Sequence, residues 1–168
     1  MKIENPCMHK LELDFITSFL NKNQIMLEYG SGWSTIFFKN LVSKLYSIEH
    51  SKGWFEKIKP LIPDVNYKHV LLPHADGLRC DYKLDEHKQI FKPYYTAFKD
   101  FNVDYFDVVF IDGRARAYCA KEILNYIDCS TLVFIHDYTI RDWYFPIVES
   151  YYKMKSKQKT MVLLQKNV

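Results

Sequence analysis

The sequence contains no apolar run that approaches the roughly 20 residues needed to span a membrane. Residues 1–6 also lack the hydrophobic segment of a secretory signal. These two absences lead us to expect a cytoplasmic protein with no membrane partner.

The chain also lacks an excess of either charge. It has 23 lysines and arginines against 20 aspartates and glutamates, which gives a formal net charge of +3. Long-range attraction to a polyanion is weak at such a balance, so nucleic acid is not expected as a partner.

Cysteine pairs of the kind that bind metals are absent as well. The four cysteines contain no Cys-x-x-Cys spacing. We therefore expect reduced thiols and no disulfide framework.

The sequence does contain enough apolar residues for one core. Its 168 residues are 48% hydrophobic and 17% aromatic, which predicts a single domain over residues 1–168. Residues 1–23 are predicted as an N-terminal helical segment, because Leu11, Phe15 and Ile16 recur at helical spacing. Residues 74–104 have a looser pattern and are predicted to form a substrate-binding or lid insertion, with Pro93 in the first turn of an aromatic helix.

Strand-like and helix-like segments alternate along the rest of the chain. Strands are predicted at residues 24–29, 45–49, 65–72, 105–111 and 131–135. Two further segments flank a polar turn at residues 156–158 and predict a terminal antiparallel hairpin. This alternation predicts a doubly wound α/β fold, a mostly parallel seven-stranded sheet that ends in the hairpin.

Glycines and ionisable residues cluster at the predicted strand ends. The residues at these ends are Glu28, Gly30, Gly32, Glu49, Asp112, His136 and Asp137. In doubly wound sheets, ligands bind beyond the carboxyl ends of the strands. Glycine is needed where the backbone approaches a ligand closely. We therefore predict one binding site that these residues share.

Three of these segments resemble motifs of the class I S-adenosylmethionine-dependent methyltransferases. Glu28-Tyr29-Gly30-Ser31-Gly32 is similar to their first motif, an acidic residue followed by Gly-x-Gly. Glu49 resembles the acidic residue that ends their second strand, and residues 106–113 resemble their fourth-strand motif. The resemblance covers residues 24–165 and implies a Rossmann-like methyltransferase fold with S-adenosylmethionine as cofactor. It departs from the family at Ser34, where a third glycine is common.

The resemblance also implies roles for the first loop. The backbone of Gly30, Ser31 and Gly32 would approach the methionine moiety of the cofactor. Glu28 would orient this loop or bind the ammonium group, although it could instead only cap the following helix.

Three further residues are implied as cofactor ligands. Glu49 would accept hydrogen bonds from the ribose hydroxyls, and His50 would line the adenine edge. Asp76 would bind the adenine amine, although Asp76 and Gly77 also fit a simple turn.

Asp112, His136 and Asp137 are the candidate catalytic residues. Methyl transfer requires alignment of the two reactants, and a proton acceptor is needed only for a hydroxyl or acid nucleophile. His136 has a reference pKa near neutrality, which suits a general base, although it could instead only hold a loop. The two carboxylates resemble those of divalent-cation-dependent O-methyltransferases, yet Tyr138 stands where an asparagine ligand is expected. A divalent metal therefore stays open as an alternative but is not predicted.

Two arginines follow the fourth strand. Arg114 and Arg116 have planar side chains that would suit an acidic substrate. Solvation and pairing with Asp112 are the alternatives.

Together these patterns predict a methyltransferase that acts on a small molecule or sugar, at oxygen. A non-catalytic binding or partner protein of the same fold stays open, and so does a homodimer. A nicotinamide-dependent oxidoreductase is disfavoured, because Thr35 stands where a third glycine would complete Gly-x-Gly-x-x-Gly.

Overall fold

The computed structural model describes residues 6–72, 78–80, 82, 84–141, 143 and 145–167. The strands in this part of the chain are β1 (Ile25–Tyr29), β2 (Lys44–Glu49), β3 (Asn66–His69), β4 (Val108–Ile111), β5 (Leu132–Ile135), β6 (Tyr152–Gln158) and β7 (Met161–Lys166). The α-helices are α1 (Lys10–Thr17), α2 (Trp33–Phe38), α3 (Lys52–Ile58), α4 (Asp85–Tyr95), α5 (Arg116–Glu122) and α6 (Phe145–Glu149). Within these described ranges, no helix is long and apolar enough to cross a bilayer.

The strands form one sheet in the order β3-β2-β1-β4-β5-β7-β6. β1 is parallel to β2 and β4, and β4 is parallel to β5. β7 runs antiparallel to both β5 and β6. The predicted doubly wound, mostly parallel seven-stranded sheet with a terminal antiparallel hairpin is therefore confirmed. Strand order reverses between β1 and β4, so a crevice opens beyond the carboxyl ends of these two strands.

The central strand β4 is buried on both faces. Val109 and Ile111 pack into the hydrophobic cluster on one face, and Val108 and Phe110 pack into the cluster on the other. Successive side chains of a strand point to opposite faces, so a continuous apolar run satisfies both layers. The helices thus cover both sides of the sheet and leave the strand ends for the site.

The N-terminal helix α1 buries a different face from the predicted one. Ile16 is fully buried, as predicted, but Leu11 is 44% exposed. Glu12, which is 3% exposed, takes the inward position instead. A buried carboxylate is tolerated only when it is paired or hydrogen-bonded, and Glu12 accepts several bonds that are described below.

Pro93 does not begin a helix, so this prediction was wrong. It lies inside α4, which starts eight residues earlier with Asp85 and Glu86 in its first turn. Carboxylates at that end interact favourably with the helix dipole. Beyond the proline, Tyr94 and Phe98 are fully buried, so these aromatic side chains belong to the core. The insertion role of residues 74–104 stays a prediction.

The turn of the terminal hairpin also differs from its prediction. Residues 156–158 continue β6, and the chain reverses at Lys159 and Thr160, where Lys159 has φ 55°. The turn therefore lies three residues later, where Thr160 bonds to Glu12 in the first turn of α1.

Candidate active site

The loops after β1 and β4 touch each other at two glycines. Gly30 has φ +92°, and a Cβ added there would lie 2.6 Å from the backbone nitrogen of Gly113. A Cβ on Gly113 would collide with the hydroxyl of Tyr94. Gly30 is therefore required both by its backbone angle and by the close approach of the two loops.

Gly32 differs from these two glycines, because nothing lies within 4 Å of the position of its Cβ. Its backbone is extended, with φ −171°, so a side chain would be unstrained. The open space belongs to a cavity of about 270 Å³ beyond the ends of β1, β2 and β4. The cavity is lined by Pro6, Cys7, Met8, Gly30, Ser31, Gly32, Trp33, Ser34, Glu49, His50, Trp54, Asp112 and Gly113.

The carboxylate of Glu28 lies beneath this loop and is fully buried. It accepts hydrogen bonds from the hydroxyls of Ser34 at 2.8 Å, Thr35 at 2.7 Å and Ser47 at 2.6 Å. Burial raises the pKa of Glu28 to about 7, although the three donors act in the opposite direction. Glu28 thus holds the loop and the start of α2 from below.

Two other hydroxyls extend this network to the cavity wall. The Ser31 and Ser47 hydroxyls are hydrogen-bonded at 2.6 Å. The Gly32 N–H donates to the Thr35 hydroxyl at 3.0 Å. The sequence indicated Ser31 through its place in the motif, but the contribution of Ser47, a strand residue, had no recognisable signal.

Glu49 ends β2, and its carboxylate lines the cavity. One oxygen accepts the backbone N–H groups of His50 at 2.9 Å and Ser51 at 2.6 Å. Nδ1 of His50 lies 3.0 Å from the same oxygen, and Nε2 accepts from Arg114 Nε at 3.2 Å. Within the described residues, the second oxygen of Glu49 makes no hydrogen bond. It is therefore available to a ligand.

The sequence missed an aromatic wall on the same side. Trp54 is only half-buried and lines the cavity beside His50. It packs edge-on against Trp33, with ring centroids 6.2 Å apart, and Lys57 lies 4.8 Å from its ring. Asp76, the other predicted adenine ligand, lies outside the described residues.

Asp112, His136 and Asp137 are brought together at the ends of β4 and β5. His136 Nδ1 lies 2.9 Å from Asp112 Oδ1 and 3.8 Å from Asp137 Oδ1. Burial disfavours the charged ring, but the hydrogen bond to Asp112 and the charges of Asp112, Asp137 and Glu12 raise the pKa of His136 above its usual value. Burial raises the pKa of Asp137, but the hydrogen bond from Arg141 and the charge of His136 lower it below its usual value. The three side chains therefore form one charged cluster.

Glu12 from α1 completes this cluster and was not identified in the sequence. Its Oε2 lies 3.3 Å from His136 Nε2 and accepts the His9 N–H at 3.0 Å. Its Oε1 accepts the Thr160 N–H at 2.8 Å, the Thr160 hydroxyl at 2.7 Å and the Met161 N–H at 3.1 Å. Burial raises the pKa of Glu12, but these hydrogen bonds and the charge of His136 together lower it below its usual value. Both ring nitrogens of His136 are thus held by carboxylates.

Arg116 occupies the space between the two aspartates. Its Nη2 lies 2.9 Å from Asp112 Oδ1 and 3.6 Å from Asp137 Oδ2. The guanidinium also donates to the carbonyls of Gly113 and His136. Of the alternatives for Arg116, pairing with Asp112 is the one observed.

Asp112, His136 and Asp137 place metal-ligand atoms within 4.8 Å of one another. A divalent cation between the aspartates would have to displace the Arg116 guanidinium, which together with Arg141 already balances their charge. The residues present therefore do not fit a metal ion in this arrangement.

No protein-family model matches the chain, and no curated protein matches its sequence. Solved structures do match. A methyltransferase-like protein from Silicibacter pomeroyi has a TM-score of 0.76 at 20% identity, over 98% of this chain and 90% of that protein. A Streptococcus mutans protein described as a methyltransferase, crystallised with SAH, has a TM-score of 0.59 at 15% identity, over 99% and 100% of the two chains. A Staphylococcus aureus protein described as a caffeoyl-CoA O-methyltransferase has a TM-score of 0.67 at 12% identity, over 96% and 86%. Identities this low establish a shared fold, and the activity has to be argued from the site.

Proposed function

We propose that this chain, which has the fold of the class I S-adenosylmethionine-dependent methyltransferases, transfers a methyl group to an oxygen of a small molecule or sugar. The observation that supports this most directly is the open space at Gly32. It lies in the crevice where the strand order reverses, which is where this fold class binds its ligands.

The residues around the cavity fit S-adenosylmethionine. The missing side chain of Gly32 leaves room for the methionine moiety against the backbone of residues 30–32. The free carboxylate oxygen of Glu49 would accept both ribose hydroxyls, while its other oxygen is fixed by the backbone. His50 and Trp54 would lie along the adenine ring, as flat surfaces do for a heterocycle.

When bound, S-adenosylmethionine would supply an electrophilic methyl group, so the protein has to align an oxygen nucleophile and accept its proton. Asp112 is the candidate for contact with the acceptor, because it lines the cavity. His136 and Arg116 both bind its Oδ1, so within the described residues Oδ2 has no protein partner. The acceptor hydroxyl would donate to Oδ2, and its proton would pass to the Asp112 and His136 pair.

Gly32→Ala tests the cofactor site, with Gly53→Ala as the matched control. Both changes add one methyl group. A Cβ added to Gly53 in α3 would meet only the Ser51 hydroxyl, at 4.0 Å, so it also has room. We expect Gly32→Ala to fold normally and to bind S-adenosylmethionine and S-adenosylhomocysteine at least about tenfold more weakly by calorimetry. Gly53→Ala should bind like the wild type.

Glu49→Gln provides the second arm, with NAD as a control ligand. It keeps the side-chain volume but replaces an acceptor oxygen, so loss of the ribose bonds should weaken binding by about tenfold or more. Failure of the wild type to bind either sulfur compound would overturn the proposal, and tight binding of NAD would favour an oxidoreductase.

One observation favours the non-catalytic alternative. Both nitrogens of His136 are engaged by carboxylates, and Asp137 is bonded to Arg141 at 2.8 Å. A protein that binds S-adenosylhomocysteine but produces none from S-adenosylmethionine with a broad panel of hydroxylated acceptors would match this alternative.

A further inference from the structure

A second, smaller cavity lies beside the first, and four of its nine lining residues are arginines. It offers about 40 Å³ and shares Gly113 with the larger cavity. Its other lining residues are Arg79, Cys80, Tyr82, Arg114, Ala115, Arg116, Arg141 and Trp143. At roughly 10–15 Å³ for one water molecule, this space suits a group of a few heavy atoms, such as one carboxylate or phosphate. We call it the arginine cavity.

Three of its guanidinium groups are held in place by the protein. Arg79 lies over the Trp143 ring, 3.6 Å from the centroid. Arg114 is fixed by its bond to His50, and the side chain of Arg116 is only 10% exposed. Groups that are already ordered lose little entropy when a ligand binds.

The cavity has more donors than acceptors. Arg141 Nη2 donates to Asp137 at 2.8 Å, but its Nε is buried and has no acceptor among the described residues. Asp112 and Asp137 pair with two of the four arginines, Arg116 and Arg141, and neither carboxylate is among the residues that line the cavity. A buried donor without a partner costs free energy, and an oxyanion would restore that bond. The planar fork of arginine matches the oxygens of a carboxylate or phosphate.

We infer that the arginine cavity binds an oxyanion of the methyl acceptor, which would therefore be an acidic small molecule. This inference rests on the proposed function, because the common wall at Gly113 sets the anion beside the predicted cofactor cavity. Gly113 lines both cavities and follows Asp112 directly in the chain. The acceptor would therefore place its carboxylate or phosphate in the arginine cavity and its hydroxyl at Asp112.

Calorimetric titration of inorganic phosphate into the protein saturated with S-adenosylhomocysteine tests the inference. Ionic strength is held constant with chloride, since screening alone changes the attraction between exposed charges. We expect binding with a Kd of roughly millimolar or tighter and no change in S-adenosylhomocysteine affinity. A parallel titration with benzoate asks whether the cavity prefers a carboxylate.

Two variants and a control locate the bound anion. Arg79→Gln and Arg141→Gln should each weaken phosphate binding by about tenfold, the effect of one lost charge-assisted hydrogen bond. Lys153→Gln removes the same charge from an exposed position on β6 and should bind phosphate like the wild type. Arg79 is also exposed, so its variant should keep the fold even if Arg141→Gln does not.

Several results would overturn the inference. The inference fails if neither phosphate nor benzoate binds more tightly than chloride. It also fails if Lys153→Gln weakens phosphate binding as much as the arginine variants do. Competition between phosphate and S-adenosylhomocysteine would assign the cavity to the carboxylate of the cofactor. An RNA oligonucleotide that binds far more tightly with the same Arg79 dependence would assign the arginines to nucleic acid. Failure of the proposed function is seen separately, since the wild type would then not bind S-adenosylhomocysteine at all.

Discussion

The buried carboxylate of Glu12 gives the sharpest prediction for stability. It joins α1 to the hairpin turn through Thr160 and Met161 and to β5 through His136. In Glu12→Gln, the amide oxygen can still accept the three bonds from the turn. The amide NH₂ would then face the His9 N–H, whose bond is lost, and His136 Nε2. The bond from Nε2 is lost while that nitrogen carries a proton, whereas an unprotonated Nε2 accepts from the amide instead.

The magnitude follows from these two bonds. A bond to a charged group contributes about 1.5–3 kcal/mol, and both of these bonds are made to the Glu12 carboxylate, so we expect a loss of about 3 kcal/mol or more. For a chain of this length, that corresponds to a decrease in Tm of roughly 10 °C. Glu149→Gln is the control, because Glu149 is exposed at the end of α6.

The pH dependence distinguishes the charge pair from simple packing. The folded pKa of Glu12 is lowered from 4.5, so its stabilisation is present above that pH and lost as pH falls through the folded pKa. The folded pKa of His136 is raised from 6.5, so its stabilisation is present below that pH and lost as pH rises through the folded pKa. The difference between wild type and Glu12→Gln should therefore be greatest between about pH 4.5 and 6.5.

Urea unfolding across pH 3 to 9 measures this difference directly. A variant as stable as the wild type at pH 5.5 would refute the assigned bonds. A loss that stays constant across the whole range would show that Glu12 acts through packing, and that His136 does not depend on it.

Three other predictions follow from the site. Gly30→Ala should be strongly destabilised in thermal unfolding, because its Cβ would lie 2.6 Å from the backbone of Gly113 at φ +92°, and a Tm equal to that of Gly53→Ala would contradict this. Thr35→Val removes a donor to Glu28, whose pKa is about 7, so it should cost about 1 kcal/mol more at pH 8 than at pH 5, and an equal loss at both pH values in urea unfolding would argue against a buried charge. Methyl transfer should be unaffected by EDTA, because Arg116 and Arg141 already pair with Asp112 and Asp137. Loss of activity that Mg²⁺ restores would overturn this.

The fold was predictable because its signals are local. The unbroken apolar run of β4 and the alternation of strands with helices are carried by neighbouring residues, and both were confirmed by the sheet. Pro93 shows the limit of such signals. A proline is expected in the first turn of a helix, but burial of Tyr94 and Phe98 keeps it inside α4.

The sequence by itself determined which residues stand at the strand ends, since hydrophobic periodicity sets where strands stop and glycines mark where the backbone must turn. Only the tertiary structure decided what these residues contact. Glu12 and His136 are separated by 124 positions, and no local pattern distinguishes a buried glutamate from a solvated one. Arg116 likewise lies close to both aspartates, whereas the sequence offered only Asp112 as one of its alternative partners. Charges at strand ends are paired through space, and only the packing of α1 and α5 against the sheet brings their partners into reach.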